Sequence, residues 1–118
     1  MQTLQQQRAK QALERVKGLV EKTQGDKLKS RASELPFMIH TNGLGQAAAF
    51  FRSKADKDGY DHLYGILSDW LLDDGRPYAG KPDLMTAIVE SDFRTYRAAQ
   101  AEAMQYMDWV KKFAKAYL

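Results

Sequence analysis

Apolar residues recur every three or four positions along almost the whole chain, and no stretch alternates apolar and polar residues as a half-buried strand would. At about 100° per residue, Ala9, Ala12, Leu13, Val16, Leu19 and Val20 fall within one arc, which predicts a first helix over residues 3–23 with that arc on a core. Thr23-Gln24-Gly25-Asp26 supplies a C-terminal glycine and an N-cap for the next helix. The second helix runs from Lys27 toward His40, with a kink or restart near Leu35, because Pro36 has no amide hydrogen to donate and its ring crowds the preceding turn. Thr41-Asn42-Gly43 closes it. Leu44, Ala47, Ala48 and Phe51 mark one face of a short third helix, and Asp58-Gly59 separates this from a fourth bearing Tyr60, Leu63, Tyr64, Leu67, Trp70 and Leu71 on one arc.

Residues 75–81 read as the longest loop, and Pro82 suits the first turn of a fifth helix over 83–89. Ser91-Asp92 caps a final helix of about 40 Å that reaches nearly to Leu118. Its buried stripe is Tyr96, Ala99, Ala103, Tyr106, Met107, Val110, Ala114 and Tyr117, and Trp109 falls outside that stripe, toward a second neighbour or a partner chain. These segments predict an all-α, single-domain bundle spanning residues 1–118, with five to six mostly antiparallel helices, the first and last the longest.

Length and composition narrow the possibilities. A chain of 118 residues suits one core. The absence of cysteine excludes disulfides, thiolate zinc sites and cysteine nucleophiles together. No apolar run exceeds five residues and MQTLQQQRAK lacks an apolar leader region, so the expectation is a soluble, unsecreted, cytoplasmic protein without a membrane partner.

The net charge of +3 says less than its distribution. Residues 1–31 hold eight Lys/Arg against three acids, whereas the remainder is slightly acidic. Arg8, Arg15 and Lys22, seven apart, line one flank of the first helix, and Lys10 and Lys17 the other. Arg94, Arg97, Lys112 and Lys115, with Asp108 among them, occupy one face of the last helix. A solvated surface accounts for any one of these side chains. Two long helices each carrying a basic stripe suit a nucleic-acid strand, although without exposed aromatics to stack on bases such binding is weak and blind to sequence.

Motifs for catalysis are sparse. Gly43-Leu44-Gly45-Gln46-Ala47-Ala48 matches G-x-G-x-x-A, but a dinucleotide site needs a strand before it and a parallel sheet around it. The plainer reading is a helix cap, with Asn42 or Gly43 left-handed and Gly45 permitting close helix packing. Amides at the start of the third helix remain open to a phosphate. Asp56-Lys57-Asp58-Gly59 hints at a calcium loop, yet in EF-hand register Lys54 and Gly65 fall where carboxylates are needed, so it reads as a turn. Asp69, Asp73 and Asp74 are the one candidate carboxylate group for a metal-dependent hydrolase. His40 and His62 have no nucleophile or orienting partner in sequence, which favours capping or packing over catalysis.

Two segments carry a family resemblance. Leu35 to Gln46 resembles the L-P-x-x-I-x-x-N-G-L-G-Q pattern of the small subunit of type III-B CRISPR effector complexes, the fifth protein of the Cmr complex. Tyr96-Arg97 through Glu102-Ala103, followed by Trp109 and Lys111 to Ala116, resembles that family's closing pattern. Gln100 stands where the family often has threonine, and Lys112 where it has arginine. The resemblance implies a non-catalytic, cofactor-free helical protein without a metal. It would stack with copies of itself and with a similar region of the large subunit, beside the backbone subunits, in a crRNA-guided complex, and help hold the guide and the single-stranded target RNA. Arg8, Arg15, Arg97, Lys111, Lys112 and Lys115 are the expected phosphate contacts, and Asn42, Gly43 and Gln46 an elbow facing a neighbour or RNA. The alternative is a helical protein-binding adaptor without RNA contact.

Overall fold

The computed structural model describes residues 1–22, 24–55 and 57–118. Among the described residues six helices follow one another: α1 (Leu4–Lys17), α2 (Gly25–Asn42), α3 (Leu44–Ser53), α4 (Tyr60–Leu72), α5 (Leu84–Glu90) and α6 (Phe93–Tyr117). No strand occurs among the described residues, and none of the helices is long and apolar enough to cross a membrane. The fold is all-α, as the periodicity predicts.

α6 is the axis. α1 and α2 pack along it, α3 packs on α2 and α4, and α5 closes against α3 and α4. The core runs through all six helices and includes Val16, Leu28, Leu35, Ile39, Phe51, Leu63, Trp70, Tyr106 and Val110. A Cα radius of gyration of 13.3 Å is what a compact fold of this length has.

α1 stops short of the predicted length. It ends at Lys17 with Gly18 as cap, and the chain then tightens into i→i+3 bonds from Leu19 to Val16 (2.9 Å) and from Val20 to Lys17 (3.2 Å). The tighter pitch keeps Leu19 buried but turns Val20 outward, 51% exposed. The expected Thr23 to Asp26 cap is replaced accordingly: Thr23 lies outside the described residues, Gly25 opens α2, and Gln24 caps it without a side-chain bond. At 18 residues α2 exceeds α1 at 14, while α6 leads with 25, so the first and last helices are among the longest.

α2 passes through Pro36 without restarting. One intrahelical bond is forgone there, but Leu35, Pro36 and Ile39 are all buried against the rest of the bundle, and tertiary packing overrides the local penalty. Pro82 lies outside α5, which starts at Leu84 behind Asp83, whose carboxylate accepts from the Thr86 amide. On α6, Tyr96 is half-buried and Tyr117 is exposed, so only the middle of the expected stripe is core. The loop between α4 and α5 contributes a fully buried Tyr78, whose hydroxyl meets Ser91 Oγ at 3.0 Å.

Asp92 caps α6 by accepting from the Thr95 amide at 2.8 Å, a bond that holds its carboxyl below the usual range. Asp92→Ala is expected to lower the melting temperature by a few degrees, whereas Asp92→Asn should retain most of the cap's stability, as circular dichroism melts will read.

Candidate nucleic-acid interface

Two of the three basic residues on one flank of α1, Arg8 and Arg15, are held by carboxylates of other helices, Arg8 nearly buried and Arg15 at the surface. Arg8 donates from Nε to Glu102 Oε2 at 2.6 Å and from Nη2 to Oε1 at 2.8 Å, a two-pronged pair that joins α1 to α6. Trp70 Nε1 of α4 donates to the same carboxylate at 2.9 Å. Both charged side chains are nearly buried, at 12% and 10% exposure. Burial opposes the ionisation of Glu102, but the hydrogen bonds from Arg8 and Trp70 and the Arg8 charge more than offset it, and its carboxyl titrates below the ordinary range. Arg76 lies over the Trp70 ring at 4.1 Å and donates to Gln7, and Trp70 stacks on Tyr106 with centroids 4.7 Å apart.

Arg15 is engaged similarly, by Asp69 of α4 at 2.6 Å. Asp69, Asp73 and Asp74 therefore do not converge: among the described residues no group of three metal-ligating side chains is found. In the expected calcium-like turn Asp56 lies outside the described residues, and Asp58, with φ of 50°, pairs with Lys27 at 2.8 Å. His40 is exposed on the last turn of α2, and His62 is half-buried on α4. Trp109 packs toward α1 by donating to Gln5 at 3.2 Å, and it stacks on Phe113.

The elbow between α2 and α3 is also closed from within. Gly43, with φ of 89° and ψ of 158°, ends one helix and caps the next without a side chain to do so. Its φ is positive as expected of a cap glycine, but its ψ is extended rather than left-handed helical. Two orphan amides of α3 are satisfied by α6: Leu44 N–H donates to Gln100 Oε1 and Gly45 N–H to the Tyr96 hydroxyl, both at 2.8 Å. Those amides are thus closed to a phosphate, which corrects that expectation. A Cβ on Gly45 would sit 3.4 Å from the Tyr96 hydroxyl and 3.5 Å from Ile88, ordinary van der Waals distances, so the helix packing there does not depend on a glycine as expected. Asn42 and Gln46 are exposed on the outer side of the elbow, and Asn42 accepts from Thr41 at 2.6 Å.

Free positive charge collects elsewhere. Lys29, Arg31, Ser33 and Phe37 of α2 face Lys111 and Lys115 of α6 across an open groove. Among the described residues no ion pair engages Lys29, Lys111 or Lys115, whereas Lys112 pairs with Asp108 at 3.0 Å. Arg97 is exposed, its guanidinium 5.4 Å from the Phe93 ring centroid. Lys111, Lys115 and Lys29 thus come together, while Arg8, Arg15 and Arg97 point to other places. Phe37 is 66% exposed, which overturns the expectation that no aromatic is open to a base. Its position off the arc of Leu28, Ala32, Leu35 and Ile39 is the signal that marks it.

The family model described as CRISPR-associated protein (Cas_Cmr5) matches residues 4–117. The chain belongs to the Cas_Cmr5 family. It is 30% identical over 121 aligned positions to the CRISPR system Cmr subunit Cmr5 of Thermotoga maritima, with all of this chain and 87% of that protein covered. The two segments that carry the Cas_Cmr5 resemblance meet in space. Gly43, Leu44 and Gly45 adjoin Tyr96 and Gln100, and Glu102 binds α1 and α4 further along α6.

Proposed function

We propose that the protein is a cytoplasmic, non-catalytic structural subunit of a crRNA-guided type III-B RNA-targeting antiviral complex. In this reading it stacks in the inner filament with copies of itself and with the large subunit, beside the backbone subunits, and helps hold guide and target RNA. Family membership supports the complex. The observation that carries the RNA contact is the meeting of Lys29, Lys111 and Lys115 across one groove with no carboxylate paired to them among the described residues. Arg97 adds a phosphate contact from the same helix, and Lys112 adds one by exchanging its exposed partner Asp108 for a phosphate, whereas Arg8 and Arg15 act through the fold, by fixing α1 against α6 and α4. Asn42 and Gln46, with the exposed Val89 and Phe93 at the α5–α6 junction, form the surface a stacked neighbour covers.

Co-expression with the neighbouring genes and purification through a tag on this chain is expected to bring down larger subunits and a discrete short RNA. Elution alone and free of RNA under gentle salt is the result that sinks the reading. In the assembled complex, Lys111→Glu with Lys115→Glu is expected to weaken single-stranded RNA binding and to flatten its salt dependence by about 0.7 in log–log slope for each phosphate no longer neutralised. The adaptor reading predicts no change in either.

A further inference from the structure

The exposed phenylalanine on α2 is placed for a task that a lone surface apolar residue does not have. Lys29, Ser33 and Phe37 follow one another at four-residue spacing along the flank of α2, a row of about 12 Å at 1.5 Å per residue. Lys111 and Lys115, also four apart, face that row from α6. The acid in the groove, Glu34, lies 3.7 Å from Arg31 and is offset by it. Arg31 in turn lies against the Tyr60 ring at 4.5 Å, so it backs the groove without filling it. Phe37 is in none of the aromatic pairs found among the described residues, although Phe50, Phe51, Trp109 and Phe113 all are. Its ring therefore presents a free π face beside three ammonium groups that no ion pair engages. Single-stranded nucleic acid is recognised by just this combination of cations for the backbone and an aromatic face for a base.

We propose that this groove binds single-stranded RNA with one base stacked on Phe37 and the flanking phosphates held by Lys29, Lys111 and Lys115. The inference rests on the RNA-holding function above and adds a base-stacking platform to it. An apolar protein partner would cover Phe37 but would leave three ammonium groups desolvated without counter-charge, which disfavours it. The stack is tolerant of sequence, since every base has a π face, and it fixes the strand's position along the groove more than its identity.

The test uses the assembled complex and a guide-complementary RNA carrying a single 4-thiouridine or 2-aminopurine moved through successive positions. Phe37→Ala, Phe37→Leu and Phe37→Trp are compared with Lys111→Glu. The expected result is a photo-crosslink in the peptide containing Phe37, and a 2-aminopurine signal that is lost in Phe37→Ala and Phe37→Leu but kept in Phe37→Trp. Binding of a short oligouridine probe should fall about tenfold in Phe37→Ala with an unchanged salt slope. If Lys111→Glu weakens binding while all three Phe37 variants match the unmodified complex, stacking is overturned and the RNA function stands. If Lys111→Glu is also silent and no crosslink forms in this chain, both fall. If Phe37→Ala or Phe37→Leu releases the subunit from the complex, the groove is a protein interface and the proposal is wrong. Phe37 is exposed, so circular dichroism of the isolated variants is expected to match the unmodified chain and to exclude misfolding.

Discussion

Glu102→Ala is expected to destabilise the protein by about 3 kcal/mol, because it leaves the nearly buried Arg8 guanidinium without its counter-charge and strips the Trp70 indole N–H of its acceptor. For a chain of this size that corresponds to a fall of roughly 10 °C in the thermal midpoint. Arg8→Ala should act in the same direction on the isolated protein with no RNA present, which separates its fixing of α1 from any contact with a phosphate. The same pair sets an acid limit. The folded-state pKa of Glu102 lies below its ordinary 4.5, so the native state favours the ionised form. That stabilisation is complete above 4.5 and is lost as pH falls through the lower, folded-state value. Melting curves taken across that interval should therefore decline more steeply for the unmodified protein than for Glu102→Gln, which has no charge to lose. Parallel curves would mean that Glu102 contributes nothing through its ionisation.

Helix identity was legible because the core faces obey the helical period, and α3, α4 and the middle of α6 bury most of the side chains the wheel selects. The end of α1 was not, since Leu19 and Val20 continue the apolar pattern while the hydrogen bonds from Leu19, Val20 and Lys22 shorten to i→i+3, and only the geometry moves Val20 outward. Tyr78 is hidden for a different reason: a residue in a turn-rich loop has no period to betray it, and its burial depends on Leu71 and Ser91 being nearby in space. Proline chemistry argued for a break at Pro36, but the apolar face on either side of it supplies more than the missing bond removes.

The candidate site was less legible than the fold. Counting charge along the chain assigns Arg8 and Arg15 to a surface stripe, yet long-range carboxylates on α6 and α4 claim both. Charges free to meet a polyanion are defined by what does not pair with them, and pairing across 94 residues of sequence is invisible to spacing. Lys111 and Lys115 are marked by their position on α6, but Lys29 and Phe37 join them only because α2 packs alongside. The family motifs mark residues of the internal framework at least as much as the surface. Tyr96, Gly43, Gly45 and Glu102 all serve to lock α3, α1 and α4 onto α6.

Gly43 is where that lock is most exposed to a single substitution. Its φ of 89° with ψ of 158° belongs to a region that essentially only glycine occupies, so Gly43→Ala imposes backbone strain of about 1–3 kcal/mol. The added Cβ would lie 3.3 Å from the Tyr96 hydroxyl and 3.5 Å from Gln100 Oε1, the two acceptors that cap α3. Any shift that relieves this crowding lengthens the bonds from Leu44 and Gly45, and each part-buried amide left unpaired costs about 1–3 kcal/mol more. The summed loss, on the order of 3 kcal/mol, should lower the melting midpoint by roughly 10 °C and speed amide exchange at Leu44 and Gly45. Gln46→Ala, next to Gly45 but on the exposed side, should leave the midpoint nearly unchanged and act only on assembly. A Gly43→Ala protein that melts with the unmodified chain would show that the elbow relaxes at no cost. The clamp between α3 and α6 would then be ornament, and the Asn42 to Gln46 segment would have to be explained by what it meets in the complex alone.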